Sequence, residues 1–428
     1  MTAHSRGREA RVGGGNDYRT VSICLRVVTM GLKVGFCGTG AFADCFIPLF
    51  KAHPLVERVV LADLNADKLA EKSARWELPE TYPSLDALLE TDVDAVAVFS
   101  QHWAHGPQAA QALRAGKHVY SAVPSGITVE EITELVKAVQ DTGRLYMIGE
   151  TSYYYPAAVY CRERYRNGDF GRIVYCEGEY YHDMDHGLYD VLKWRGGDRW
   201  RELAGAPPMH YPTHSTGQVI AVTGAHATHV SGQGFVDNHP DGLYRKDVNI
   251  WHNDFSNETA LFRMSDGSMM RINEFRRVGH PGNEAISVYG TEACFEQQAN
   301  AQAWVTKDRS QLVDLSELLA PSGVTVKVES DMDALKDELT HAGVSQVHDV
   351  ARLPREFVGL PNGHVGSHQF LVDDFVKCCV AGELPPCNVW QAARYVLPGL
   401  IAHESALRGG ELLEIPDFGD APTPVMAL

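Results

Sequence analysis

Apolar and polar positions along the chain follow two regimes that meet near residue 150. Between residues 31 and 150, short apolar runs alternate with longer stretches of helical periodicity. The runs 33–37, 59–62, 95–99, 118–120 and 145–148 read as strands. The stretches 41–52, 66–76, 84–90, 104–115 and 129–141 read as helices, with Thr128 as a cap and Gly116 as a stop. Such alternation predicts a parallel sheet with helices on both faces. Past residue 150 a helix over 156–166 leads through Asn167-Gly168 into a strand over 172–181. Period-two alternation over 258–264, 268–275 and 284–289 then predicts a large, mostly antiparallel sheet. Residues 300–365 are polar and irregular, with a helix expected near 331–341, and helices are expected over 369–380 and 390–408.

The first apolar run ends in Gly38-Thr39-Gly40-Ala41-Phe42-Ala43. This is the Gly-x-Gly-x-x-Ala form of the dinucleotide-binding turn, and it predicts a Rossmann domain. Gly38 permits the sharp turn and Gly40 admits a pyrophosphate. A helix expected to start near Ala41, carrying Phe42 in its first turn, would turn its positive end to the phosphates. The second run ends in Asp63, 25 residues after Gly38, where a carboxylate accepts the ribose hydroxyls of NAD. No Lys or Arg follows until Lys68, so NAD is expected rather than NADP.

With 428 residues, two domains are expected: 31–150 for the nucleotide and an α+β domain over 151–428 for substrate and assembly. Residues 1–30, rich in Gly and Arg, read as a disordered extension. A net charge of −17 argues against nucleic acid or an anionic membrane as a partner. No apolar run reaches the length of a membrane span. Nine cysteines without a Cys-x-x-Cys read as reduced thiols of a cytoplasmic protein.

Further segments carry a resemblance. Ser100-Gln101-His102 with His105, Gly116-Lys117-His118-Val119, and Tyr289-Gly290-Thr291-Glu292 resemble the Gfo/Idh/MocA family of NAD(P)-dependent sugar oxidoreductases. The resemblance implies that Ser100, His102 and His105 flank the cofactor, and that the second domain assembles a homodimer or homotetramer. Most members carry a Glu-Lys-Pro whose lysine assists proton transfer; here Ala122-Val123-Pro124 places Val123 at that position, with Val123 and Pro124 beside the cofactor. Most also carry an Asp four residues before a catalytic His, and here these are His210 and His214. Tyr211-Pro212-Thr213-His214 and Tyr180-Tyr181-His182 are similar to motifs of one branch, the NAD-dependent α-N-acetylgalactosaminidases. Where that branch carries Gly-Leu-Gly-Pro, this chain has Ser215-Thr216-Gly217-Gln218, which bears on which sugar is taken.

The resemblance implies a sugar or glycoside substrate and a route in which C3 is oxidised, C2 loses a proton, the C1 substituent leaves, water adds and C3 is reduced again. Histidine suits the 3-hydroxyl proton because its pKa lies near neutrality, and His214 is the candidate. Pro212 suits a first helical position, and three-residue spacing brings Tyr211 near His214. Tyr180 and His182 share a strand face; by resemblance Tyr180 is the C2 base and His182 a helper or a leaving-group contact, and such a tyrosine needs its pKa lowered from about 10. Glu150 and Tyr153 lie at the carboxyl edge of the sheet, where ligands bind. Trp194, Arg195 and Arg199 are expected in a sugar-binding loop, and Asp373 and Asp374 at solvated helix positions. His182, Asp183, Asp185 and His186 resemble metal ligands, but no His-Glu-x-x-His occurs and no metal is expected. A net sugar or cyclitol dehydrogenase and a non-catalytic NAD sensor remain as alternatives.

Overall fold

The computed structural model describes residues 31–321, 340–422 and 425–426. The expected extension over 1–30 and nearly all of the expected helix over 331–341 lie outside the described residues.

The first sheet is built from β1 (Leu32–Cys37), β2 (Val56–Ala62), β3 (Thr81–Tyr82), β4 (Ala95–Val98), β5 (His118–Ser121) and β6 (Tyr146–Ile148). Its order is β3-β2-β1-β4-β5-β6, all parallel. Strand order reverses between β1 and β4, and that switch point opens a crevice at the carboxyl ends of the strands. β4 is buried along its whole length, as a strand covered on both faces must be. The covering helices are α1 (Ile47–Ala52), α2 (Ala66–Trp76), α3 (Leu85–Leu89), α4 (His105–Arg114) and α5 (Val129–Thr142). The Asn65 and Thr128 side chains accept N–H groups at the starts of α2 and α5.

The helix expected over 41–52 is broken. A single 3₁₀ turn, Ala43–Cys45, precedes α1. Pro48 has no N–H to give the Asp44 carbonyl and its ring crowds it, so a regular helix cannot run through.

The second sheet contains β7 (Ile173–Tyr181), β8 (Ala227–Val236), β9 (Phe255–Met264), β10 (Met269–Phe275), β11 (Asn283–Gly290), β12 (Ala293–Gln298), β13 (Ala301–Thr306), β14 (Leu312–Asp314) and β15 (Leu413–Glu414). Its order is β14-β13-β12-β11-β7-β10-β9-β8-β15. It is antiparallel except where β10 runs parallel to β7. β13 and β14 fall where irregular chain was expected, and Trp304 on β13 is buried in the core.

Around this sheet lie α6 (Pro156–Arg166), α7 (Tyr189–Gly196), α8 (Trp200–Ala204), α9 (Thr213–Thr223), α10 (Ser316–Leu319), α11 (Gly363–Ala381) and α12 (Val389–Leu407). Among the described residues no helix is long and apolar enough to cross a membrane. Asp373 and Asp374 on α11, expected in solvent, are fully buried. Asp373 accepts from Lys377 at 2.8 Å and lies 3.3 Å from His53, while Asp374 pairs with Arg352 at 2.5 Å. These cations make burial of two adjacent carboxylates tolerable.

α9 crosses β7 at Gly178, where an added Cβ would stand 2.4 Å from the Ser215 carbonyl oxygen. Gly178→Ala is therefore expected to destabilise the fold by about 1–3 kcal/mol, by overpacking. Thermal or denaturant unfolding of the purified variant measures this.

Candidate active site

A cavity of about 820 Å³ runs from the β1 turn to the face of β7 beneath α9. At one end, Gly38 takes φ 92°, and an added Cβ there would meet the Phe99 and Ser100 backbone at 2.7 Å. Thr39 donates to Asp63 Oδ2 from its N–H at 2.8 Å and from its hydroxyl at 2.9 Å. Among the described residues none accepts the N–H groups of Gly40, Ala41 and Phe42. Three free donors in a tight turn form a cradle for a pyrophosphate, in place of the helix expected at Ala41. Ala41 enters the site only through that backbone.

Gly38, Gly40, Phe42, Asp63, Ser100, His102, His105 and Val123 all border the cavity. Pro124 does not; its carbonyl oxygen lies 2.9 Å from His105 Nδ1. His105 Nε2 stands 3.1 Å from the Ser100 carbonyl, so the ring ties two strand ends together. Burial pushes the His102 imidazole down to about 3 and lowers that of His105, keeping both neutral.

The cradle, the carboxylate of Asp63 and the apolar wall of Phe42 and Val123 fit a nicotinamide dinucleotide. Asp63 would repel a 2′-phosphate. Asp63→Ala removes a charged hydrogen-bond acceptor worth about 1.5–3 kcal/mol, so NAD affinity is expected to fall roughly 10- to 150-fold. Calorimetric titration with NAD and NADP checks both the loss and its selectivity.

At the other end, Pro212 caps α9, one position earlier than expected, and puts His214 in the first turn. His214 Nδ1 lies 2.8 Å from Glu150 Oε1, with both side chains buried. Burial favours the neutral ring, but the Glu150 and Glu284 carboxylates outweigh it and hold the His214 pKa well above its ordinary value. Glu150 itself caps the turn Thr151–Tyr154 by accepting the Ser152 N–H at 2.8 Å.

Tyr180, Tyr211 and His214 converge: the Tyr180 ring lies 5.2 Å from His214, and Tyr211 lies 5.3 Å from it. The Tyr180 hydroxyl lies 2.9 Å from His182 Nδ1. Burial lowers His182 to about 4, so the ring is neutral, and with its proton on Nε2 it leaves Nδ1 free to accept. The lowered tyrosine pKa expected from sequence is not found. Burial drives the Tyr180 phenol upward, against the Arg276 guanidinium 4.6 Å over its ring. In that tautomer Tyr180 and His182 form a pair in which the phenol proton has an acceptor.

Two groups on the cavity wall, Glu284 and His364, and the buried Glu274 were not reached from the sequence. Glu284 stands opposite Tyr180 in the β11–β7 register, and Glu274 stands opposite it in the β10–β7 register. Paired residues share a face, so strand pairing was the missing signal. Glu274 is buried and bonded to Ser215, with Arg276 Nη2 at 3.0 Å; Glu284 accepts from Tyr155. His364 comes from the kinked start of α11.

Trp194 and Arg195 border the cavity from helix α7 rather than from a loop, while Arg199 pairs with Glu202 at the surface. The Trp194 ring would meet a Cβ on Gly40 at 3.2 Å, and Gln101 Nε2 donates to the Arg195 carbonyl at 3.3 Å. Asp183 accepts the Asp185 and Val278 N–H groups, and Asp185 and His186 are exposed. Ser215, Thr216 and Gln218 turn away from the cavity, bonding Glu274, the Tyr395 carbonyl and the His214 carbonyl. The change from Gly-Leu-Gly-Pro thus alters the support of α9, not the cavity wall.

This architecture is that of an NAD-dependent enzyme of the oxidoreductase class. Residues 32–150 match the model of the Gfo/Idh/MocA family, described as an oxidoreductase family with an NAD-binding Rossmann fold. A levoglucosan dehydrogenase solved with NADH and L-sorbose shares the fold at TM-score 0.69 and 18% identity, over 91% of this chain and 100% of that one. A myo-inositol 2-dehydrogenase from Lactobacillus plantarum does so at TM-score 0.65 and 18% identity, over 90% and 100%. Two proteins of Bacteroides fragilis, an α-N-acetylgalactosaminidase and a glycosyl hydrolase family 109 protein, are each 33% identical over 424 residues, 90% of this chain and 92% of theirs. The chain belongs to glycosyl hydrolase family 109.

Proposed function

We propose that this enzyme cleaves a glycoside by oxidising its sugar transiently at C3. The observation that carries this reading is a second proton-handling pair beside the first. A dehydrogenase needs one base, and here His214, backed by Glu150, faces the same cavity as Tyr180 and His182, with the His214 and Tyr180 rings 5.2 Å apart.

Bound NAD supplies a reversible two-electron acceptor, which lets a ring hydroxyl become a ketone and return. His214, tied to Glu150 through Nδ1, takes the 3-hydroxyl proton at Nε2, and the Glu150 carboxylate balances the imidazolium. Tyr180 takes the C2 proton through its oxygen while its own proton passes to His182 Nδ1. Loss of that proton lets the C1–O bond break; water then adds and the proton transfers reverse. Val123, which cannot carry a proton, leaves these four side chains to handle the chemistry.

The name of the Bacteroides relative supports an α-N-acetylgalactosaminide as the substrate class. Residues 31–150 hold the nucleotide and 151–428 the sugar. The outer face of the larger sheet, with Leu261 and Met269 exposed and Tyr175 stacked on Tyr289 at 5.9 Å, supports assembly as a homodimer or homotetramer. Free thiols among the described residues support a cytoplasmic location.

Incubation with an aryl α-N-acetylgalactosaminide in D₂O tests the reading. Aglycone release with deuterium at C2 and no accumulating NADH is the expected result. Stoichiometric NADH from a free sugar would mark a dehydrogenase instead, and NAD binding with neither event a sensor.

A further inference from the structure

The start of α11 carries the most unusual backbone near the cavity. His364 and Val365 both take φ 47°, and Gly366 takes φ 91°. A left-handed conformation is costly for a side-chain-bearing residue, and most of all for a β-branched one such as Val365. Crowding adds to it: a Cβ on Gly363 would lie 2.7 Å from the His368 ring.

This backbone brings His364 to the cavity wall. Its ring lies 6.2 Å from His214, tilted 30° from that ring's plane, and 5.7 Å edge-on to Phe42. His364 Nδ1 stands 2.8 Å from His368 Nε2. His368 is buried, packed on Phe46 at 4.4 Å, and its Nδ1 has no partner among the described residues.

That orphan nitrogen fixes the tautomers. A buried N–H without an acceptor is rarer in folded proteins than a buried lone pair without a donor. The His368 proton therefore sits on Nε2 and is given to His364 Nδ1. His364 then keeps its own proton on Nε2, the nitrogen left for the cavity. Burial lowers the pKa of both rings, so the pair stays neutral.

We propose that His364 is a catalytic residue whose Nε2–H donates to the sugar O3, beside His214, as the C2 proton leaves. The proposal rests on the C3-oxidation reading above. In that step the C2–H bond breaks and its electron pair becomes the C2–C3 double bond. The ketone π pair moves onto O3, and the proton goes to the Tyr180 oxygen. An oxygen can accept from two imidazoles whose centroids are 6.2 Å apart. Two preorganised donors aimed at a developing oxyanion are the arrangement that lowers such a barrier. The neutral ring donates without having had to ionise first, whereas His214 donates the proton it has just taken.

Two measurements test this. Nitrogen-15 NMR of histidine-labelled protein reads the tautomers directly and needs no turnover. The Nε2–H form is expected at both His364 and His368; the Nδ1–H form at His364 would overturn the proposal.

The second measurement compares His364→Asn with His364→Gln. Asparagine accepts the left-handed backbone and withdraws the donor; glutamine restores an N–H at longer reach. His364→Asn is expected to keep its NAD affinity and its first-turnover NADH signal within a few-fold. Its C2 hydrogen exchange in D₂O is expected to slow about 10²–10³-fold, with partial recovery in His364→Gln. Equal slowing of both steps, or unchanged exchange, would overturn the role. Absence of C2 exchange in the unaltered enzyme would instead overturn the underlying reading, and this proposal with it.

Discussion

His214→Gln is expected to lower kcat about 10²–10⁴-fold, the usual contribution of a positioned base. NAD affinity should stay near its original value, because His214 lies at the far end of the cavity from the Gly38 turn. Glu150→Gln tests the same pair from behind. The Glu150 carboxylate helps hold the His214 pKa well above its ordinary value, so the unaltered enzyme needs rising pH to free the base. Its kcat/KM should therefore climb with pH through neutrality. Removing the carboxylate withdraws that effect, and the acid limb should move to lower pH while the maximum falls. A pH–rate series on the three proteins measures both movements, and an unmoved limb would separate Glu150 from the base.

Arg276→Met is expected to cost up to about 3–5 kcal/mol of stability at alkaline pH, where the Glu274 carboxyl is ionised and losing Arg276 breaks a buried ion pair. Arg276 is buried, with Nη2 3.0 Å from Glu274 Oε2 and Nη1 3.2 Å from the Phe275 carbonyl. Its loss strands Glu274, which is fully buried. Burial already pushes the Glu274 pKa up to about 8, with Arg276 opposing it. The sign follows from linkage. A carboxyl whose folded pKa lies above its unfolded value of 4.5 binds more protons when folded. Its contribution is present below pH 4.5 and is lost as pH rises toward 8. Without Arg276 the carboxyl ionises still less readily, so the variant's deficit should widen at alkaline pH. Denaturant unfolding at several pH values checks this, and Glu274→Gln in the same background should flatten the slope.

What the sequence disclosed was local. The glycine turn, Asp63 and the first sheet follow from residues within one βαβ unit, where spacing alone carries the geometry. The pairing of Tyr180 with His182 followed from strand periodicity. The broken helix after Gly40 was also readable, since Pro48 is incompatible with a helix running back through Asp44. Glu284 and His364 were not, because they reach the cavity from β11 and from a backbone kink that no periodicity encodes. Asp373 and Asp374 were misplaced for a related reason. Lys377, one helical turn on, was visible as a partner, but Arg352 comes from a distant segment. β13 and β14 fell in a polar stretch where only Trp304 anchors the sheet.

Glu274, Tyr180 and Glu284 lie in one row across β10, β7 and β11. Slippage by a single residue at either seam would turn a carboxylate outward and set a neighbour of opposite facing beside the phenol. The chemistry of this half of the site is thus secured by strand alignment, so hairpins at the far edge can lengthen or shorten without disturbing it.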